Sequence, residues 1–389
     1  MYNLESINFQ DDKIQEKKDG KYRIYRYKKK FLNEGDYSSY GLVRSVIFNE
    51  NRLVSFSPPK SLSWPSEKDA DISSTEIFVE EFVEGIMINV FWDDDKFVFA
   101  TRSSIGGNSR FFDNGVRPNP TFGSLFEDTC DYVGLSLKED CPLKKDTCYS
   151  FVMQHPSYRI VNSANVPSLC LVAAYKIEGL KVYNVSFLSR PTWTEAPIYA
   201  IEGTRVSVPN QYMMSSVSYN SVMEKLATLP NNTQGIVVSY FDENSVYCRL
   251  KVRNEAYQEA KLLRGNNPKL EFHYLTLRIE GKIGKYLQHF PEHREKFSDY
   301  KTKVEEFTTS LYQHYREIYI LRTSSLGTVP SEYRSHLLTL HQLYNMSLRN
   351  NGGRVNFNIV KTYVNSLHPA RLMYALNFKY RPKKATKKE

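Results

Sequence analysis

The feature that most constrains this chain is a long succession of short β-patterned runs, each closed by turn residues within a few positions. Residues 41–56 set the pattern. GLVRSVIF is apolar and β-branched, Asn49-Glu50-Asn51 is turn chemistry, and RLVSF returns. Pro58-Pro59 stops the hairpin, because proline has no N–H to give a ladder. A second hairpin is predicted from Ile86 to Trp92, a turn at Asp93-Asp94-Asp95, and a return strand from Lys96 to Arg102. Further strands read at 148–153, 169–175, 181–187, 235–241 and 246–252. Runs this short and this close to turn signals favour antiparallel pairing over a doubly wound βαβ sheet. No internal repeat is visible.

The period changes after about residue 255. Val304, Phe307, Leu311, His314 or Tyr315, and Ile318 recur at helical spacing. Pro330-Ser331 opens another helix, carried by Leu337, Leu340, Tyr344 and Leu348 and ended by Asn350-Asn351-Gly352-Gly353. Pro369 suits the first turn of a helix over ARLMYALNF. The chain is therefore predicted to be α+β, with four parts: a basic N-terminal segment 1–40, an antiparallel β domain 41–258, a helical domain 259–378 and a basic tail 379–389.

Charge is concentrated at the ends. Residues 13–30 carry nine basic and two acidic side chains, and residues 379–389 carry six basic and one acidic. Together these exceed the net charge of +9, so the remainder is slightly acidic. Tyr22, Tyr25 and Tyr27 interleave the first cluster, which suits phosphate contacts with base stacking; a solvated flank is the alternative. With 41% hydrophobic residues the chain has the apolar mass for a sizeable core. No stretch approaches eighteen apolar residues, so no membrane span is expected. The start, MYNLESINFQDDK, has no apolar signal segment, and the five cysteines form no CxxC. Reduced thiols in cytoplasm or nucleus are expected, not secretion.

No P-loop, HEXXH motif or cysteine cluster is present. His289 and His293 are four apart, but Pro291 between them spoils a helical ligand pair, so no metal site is expected. The order of the β runs is more informative. GLVRSVIFNENRLVSFSPPKSLSW precedes IFVEEFVEGIMINVFWDDDKFVFATRSSIGG. Then come CYSFVMQHPSYRIV, QGIVVSY and VYCRLKVRN. Over roughly residues 40–255 this series resembles the RNA-ligase branch of the covalent nucleotidyltransferases. The resemblance implies an antiparallel nucleotidyltransferase-like (ATP-grasp-resembling) domain. It also implies chemistry in which a lysine amine attacks the α-phosphorus of a nucleoside triphosphate, with magnesium beside the phosphates.

Carried over by residue, the match fails at that chemistry. The Lys-x-Asp-Gly motif falls on Phe82-Val83-Glu84-Gly85, so a phenyl ring stands at the nucleophile position. A family carboxylate falls near Val152, and the Glu of a Glu-Gly pair becomes Gln234, which binds magnesium poorly. The resemblance leaves Glu84, Gly85, Arg102, Arg159, Gln234, Lys251 and Arg253 as nucleotide- or phosphate-binding candidates. Lys17-Lys18-Asp19-Gly20 satisfies the motif literally but precedes the hairpin it should follow, so Lys17 is a secondary nucleophile candidate. Lys60 and Lys96 are others. The expectation is a catalytically degenerate RNA-ligase-like protein binding RNA or nucleotide phosphates. Two alternatives stand beside it: an active ligase using a displaced lysine, and a non-catalytic interaction protein. The cofactor stays open, with magnesium and ATP implied only for an active enzyme. EFVEGIMINVFWD and the length also resemble immediate-early proteins of iridovirus-type viruses, which implies a viral early protein in a host cell.

Overall fold

The computed structural model describes residues 1–62, 64, 71–74, 76–110, 120–185, 201–242, 247–267 and 269–380. Most of the basic tail and the ends of the strands expected at 181–187 and 246–252 lie outside them. The chain forms two compact units, one from Met1–Arg110 and Arg117–Leu262, the other from Leu263–Glu389. The architecture is α+β, with antiparallel strand pairs throughout the three sheets of the first unit.

The first sheet has four strands in sequence order: β1 (Ile14–Asp19), β2 (Tyr22–Tyr27), β3 (Val46–Asn49) and β4 (Arg52–Phe56). The basic N-terminal segment thus supplies two strands. The hairpin expected from Gly41 begins later. Tyr40–Leu42 is a 3-10 turn, and the Val43 carbonyl accepts from the Tyr27 N–H, so regular pairing starts only at Val46.

A seven-stranded sheet is built around β6 (Ile86–Asp93), β7 (Lys96–Thr101), β8 (Thr147–Gln154) and β9 (Ser168–Glu178). Its central strands are apolar on both faces because both are covered. Phe91, Cys148, Ala173 and Tyr175 join a core with Ile24, Val46, Ile47 and Phe56 of the four-stranded sheet. Ile88, Val90, Phe151 and Leu171 turn the other way, against Phe126 and Val133 of α1 (Phe122–Val133). Full burial of Phe126 and Phe151 is worth about 2–3 kcal/mol each. The Thr121–Ser124 capping box starts α1, and Gly134 at φ 76° ends it.

The third sheet, with order β11-β10-β5, contains β5 (Ile77–Glu81), β10 (Gly235–Phe241) and β11 (Tyr247–Arg253). Sequence reading did not predict β5, whose IFVEE pattern is too short and too acidic to stand out.

In the second unit the helical period is realised in Leu270–Ile279, Ile283–His289, Arg294–Tyr315, Ser331–Leu343, Phe357–Ser366 and Pro369–Leu376. Val304, Phe307, Leu311, Leu337 and Leu340 are core residues, as their spacing predicted. Gly352, at φ 66°, ends the segment that follows Leu343. Buried His336 and half-buried His293 are tied by hydrogen bonds: His336 Nδ1 to the Tyr363 hydroxyl at 2.8 Å, and His293 Nδ1 to the Tyr286 hydroxyl at 2.6 Å. Among the described residues no helix is long and apolar enough to cross a membrane.

Candidate phosphate-binding cleft

The cleft of the first unit is built from two unlike walls. On β11 the sequence RLKVR alternates, so Arg249, Lys251 and Arg253 share one face. Register places Ser239 opposite Arg249, Val237 opposite Lys251 and Gly235 opposite Arg253; across β10, Val237 also stands opposite Glu80. Glu80 therefore joins the cationic face. Glu81 belongs to the opposite one, where its carboxylate accepts from the Asn210 amide at 2.6 Å. The second wall is apolar, with Val83, Met87, Val152 and Val172 packed together. Arg44 and Lys261 complete the lining with the three β11 cations. The enclosed volume is about 230 Å³. That is below the ~300–1,000 Å³ of sites that enclose a whole drug-sized ligand.

Two glycines let the backbones close on this site. Gly85 has φ 152° and Gly235 has φ 151°, a region that side-chain-bearing residues avoid. A Cβ at Gly85 would run into the Met153 carbonyl, and one at Gly235 into the Val252 carbonyl. Each glycine follows a polar residue that anchors neighbouring structure. The Glu84 carboxylate accepts from the Val161 and Asn162 N–H groups at 3.0 Å, and Gln234 Oε1 accepts from the Tyr257 hydroxyl at 3.1 Å. Burial pushes the Glu84 carboxyl above its usual range, against the pull of those N–H donors.

Phe82 lies between the walls. Its N–H donates to the Gly235 carbonyl at 2.9 Å, and the Lys251 amine sits 4.0 Å from its ring centroid. Burial, and then the charges of Arg249, Arg44, Arg253 and Lys261, hold the Lys251 ammonium well below the usual lysine range. Burial and then Arg249 push the Arg44 guanidinium down to about 10, so it stays charged at neutral pH. The cations repel one another more than the cleft-face carboxylate offsets, which is the electrostatics of an anion site.

The sequence-derived candidates divide here. Gly85, Gln234, Lys251 and Arg253 line the cleft, together with Phe82 and Val152. Glu84 lies behind it, holding the segment that carries Ile160. Arg159 is on that segment, its Nε donating to the Val161 carbonyl at 2.8 Å. Arg102 lies off the cleft, its Nε donating to the Arg44 carbonyl at 3.4 Å. Lys17 is on β1, where its amine donates to the Ser103 carbonyl at 2.7 Å. The Lys60 amine covers the Tyr37 ring at 3.3 Å, and Lys96 pairs in register with Asp93. Sequence reading missed Arg44, Arg249 and Lys261. Period-two spacing on β11 signals Arg249. Arg44 comes from an irregular turn and Lys261 from the helix after β11, and neither carries a sequence signal.

The resemblance implies magnesium, but the donors do not fit a protein-held ion. The cleft offers Glu80 and Glu81 from consecutive positions of one strand, pointing to opposite faces, with Val152 and Gln234 where further carboxylates would help. Among the described residues no group of three His, Cys, Asp or Glu side chains gathers.

No protein-family model matches this chain, and no curated protein sequence matches it. Among solved structures it is similar to an archaeal ATP-dependent RNA ligase, form 1, with TM-score 0.43 and 12% identity over 74% of this chain and 68% of that one. Form 2 gives a TM-score of 0.42 and 11% identity over 95% and 74%. A Naegleria gruberi RNA ligase mutant with ATP and Mn gives 0.32 and 12% over 53% and 64%. Similarities of this size assign no residue a role.

Proposed function

We propose that this chain is a catalytically degenerate, RNA-ligase-like protein whose cleft binds the phosphates of RNA or of a nucleotide and forms no covalent intermediate at the Phe82 position. One observation carries the reading: Arg44, Arg249, Lys251, Arg253 and Lys261 converge on a cleft that Phe82 also lines, the residue the resemblance aligns with the nucleophile and one with no lone pair to attack phosphorus. The apolar wall of Met87, Val152 and Val172 suits the flat face of a base or sugar while the cations hold phosphate. The resemblance of residues 80–93 extends the reading to a viral early protein acting in the host cytoplasm or nucleus.

The test is incubation with α-labelled ATP or GTP and magnesium, beside titration with a 5′-phosphorylated RNA oligonucleotide. The reading expects no labelled protein and salt-sensitive RNA binding. Absence of RNA and nucleotide binding at low salt would instead favour an interaction protein on the same scaffold.

The position of the Lys251 amine favours a second reading, an active enzyme with a displaced lysine. Burial and then the surrounding cations shift this lysine towards its uncharged form, which is the nucleophilic one. Attack by Lys251 Nζ on the α-phosphorus of a nucleoside triphosphate forms a nitrogen–phosphorus bond, breaks the bond to pyrophosphate and releases the amine proton to solvent. A labelled protein that disappears in Lys251→Ala and persists in Lys17→Ala would establish this reading over the first.

A further inference from the structure

The cationic lining does not stop at the cleft. Arg44 faces the cleft with its side chain, and its carbonyl receives Arg102 Nε at 3.4 Å. The exposed Arg102 guanidinium lies 5.5 Å from the centroid of the Tyr27 ring, at the end of β2. Arg26 precedes it on the same strand, and its guanidinium reaches Gln15 Oε1 at 3.3 Å. Gln15 stands opposite Arg26 and Lys17 opposite Ile24, so Lys17 shares the Arg26 face one step along the sheet. The Lys17 amine reaches over to the Ser103 carbonyl. The cations run in sequence: cleft, Arg44, Arg102, Arg26, Lys17. Tyr27, next to Arg26 on the strand, shows the opposite face, which it shares with Glu16; on the Arg26 face the acid beside the line is Asp19, which pairs with Lys17 at 3.8 Å and accepts from the Ile105 N–H at 3.0 Å.

The line is also under electrostatic stress. Burial and then Arg102 lower the Arg26 guanidinium, and Arg102 adds to the charges lowering Arg44. Neighbouring guanidiniums that repel one another gain most from a chain of anions at regular spacing.

We propose that a single-stranded polynucleotide whose phosphate end occupies the cleft runs out past Arg44 and over Arg102 and Arg26 towards Lys17. The inference rests on the cleft's binding phosphate, and it adds the direction of the strand. Short ligands then depend on the cleft alone, while longer ones engage the track as well.

The experiment compares 5′-phosphorylated oligouridylates of 2 and 12 nucleotides by fluorescence anisotropy, on the full chain, across a salt series. In Arg26→Gln/Arg102→Gln, binding of the 12-mer is expected to weaken about tenfold, and its log–log salt slope to fall by about 1.4, at ~0.7 per lost contact on a single strand. Binding of the 2-mer is expected to stay the same. Arg26→Lys/Arg102→Lys should recover most of the loss. Equal binding of the 12-mer by wild type and the Gln variant would overturn the track while leaving the cleft intact. Equal loss of both lengths, with no rescue by Lys, would overturn it as a structural effect. Failure of the wild type to bind either length would remove the cleft reading itself.

Discussion

Two charged clusters of the first unit make an instructive pair. In one, the Asp93 carboxylate is wholly buried at the end of β6 and fully answered. Tyr22 donates its hydroxyl at 2.8 Å, Asn49 its amide at 2.9 Å, and Lys21 and Arg52 pair with the two oxygens. Burial pushes this carboxyl up, but those donors outweigh it and hold the net position below the usual range. In the other, Arg44, Arg249, Lys251 and Arg253 crowd together with Glu80 on their sheet face. The first cluster closes on itself and ties the end of β6 to the ends of β2, β3 and β4. In the second, among the described residues, the cations outnumber the carboxylates that line the cleft with them, and their mutual repulsion costs stability. On the proposed function the first cluster is complete in the free protein and the second is completed by its ligand.

The sharpest break of this comparison is Asp93→Ala. It strands Asn49 and the Tyr22 hydroxyl and takes a carboxylate from two cations, of which Lys21 keeps Asp94, so it is expected to lower unfolding free energy by about 3–4 kcal/mol. Both cations are partly exposed and regain water, which keeps the cost at the low end of that class. Denaturant titration reads the loss. RNA affinity measured below the transition should be unchanged; a fall in affinity would mean that Asp93 belongs to the site after all.

The converse variant is Arg249→Gln/Lys251→Met/Arg253→Gln. It is expected to weaken a 5′-phosphorylated RNA oligonucleotide by about 100-fold near 0.1 M salt, from three lost phosphate contacts. Its thermal midpoint should hold or rise, since mutual repulsion is removed. A midpoint falling by more than a few degrees would show that the cations are structural, and the contrast with Asp93 would collapse.

The two clusters were not equally legible in sequence. Alternation in VYCRLKVRN places three cations on one face, and the two X-Gly positions before β6 and β10 can be read from the Glu84-Gly85 and Gln234-Gly235 pairs. The strands around them follow from β-branched runs and their turns, and the helical unit from its 3.6-residue period. What sequence does not carry is the third dimension of charge. Asp93 reads as one residue of an Asp-Asp-Asp turn, yet it alone of the three is buried, because β2, β3 and β4 bring Tyr22, Asn49 and Arg52 to it from 41 to 71 residues away. Arg44 gave no sign either, since it enters the cleft from a turn. Conversely, Arg102 and Arg159 matched a motif, and the fold sets them outside the cleft lining, where only their contacts place them.

The smallest expected effect tests the electrostatic half of the comparison on its own. Lys251→Met keeps a side chain of similar reach over Phe82 and removes one cation. In the folded chain Lys251 gives up its proton at lower pH than in the unfolded chain, because of burial first and then the surrounding cations. Over the interval between the two values the unfolded state binds more protons, so the wild-type chain gains stability there as pH rises. Below that interval it carries the full cost of a confined charge. Lys251→Met carries no such cost, so it should be more stable than wild type at neutral pH by about 1 kcal/mol, once solvent screening of a half-exposed cleft is allowed for. The advantage should shrink as pH climbs towards the ordinary lysine value of about 10.4. Urea titrations of the two proteins at pH 6, 7.5 and 9 measure it directly. A variant less stable than wild type at every pH would mean that the amine over the Phe82 ring holds the cleft together, and that the repulsion inferred from its neighbours is already balanced within the fold.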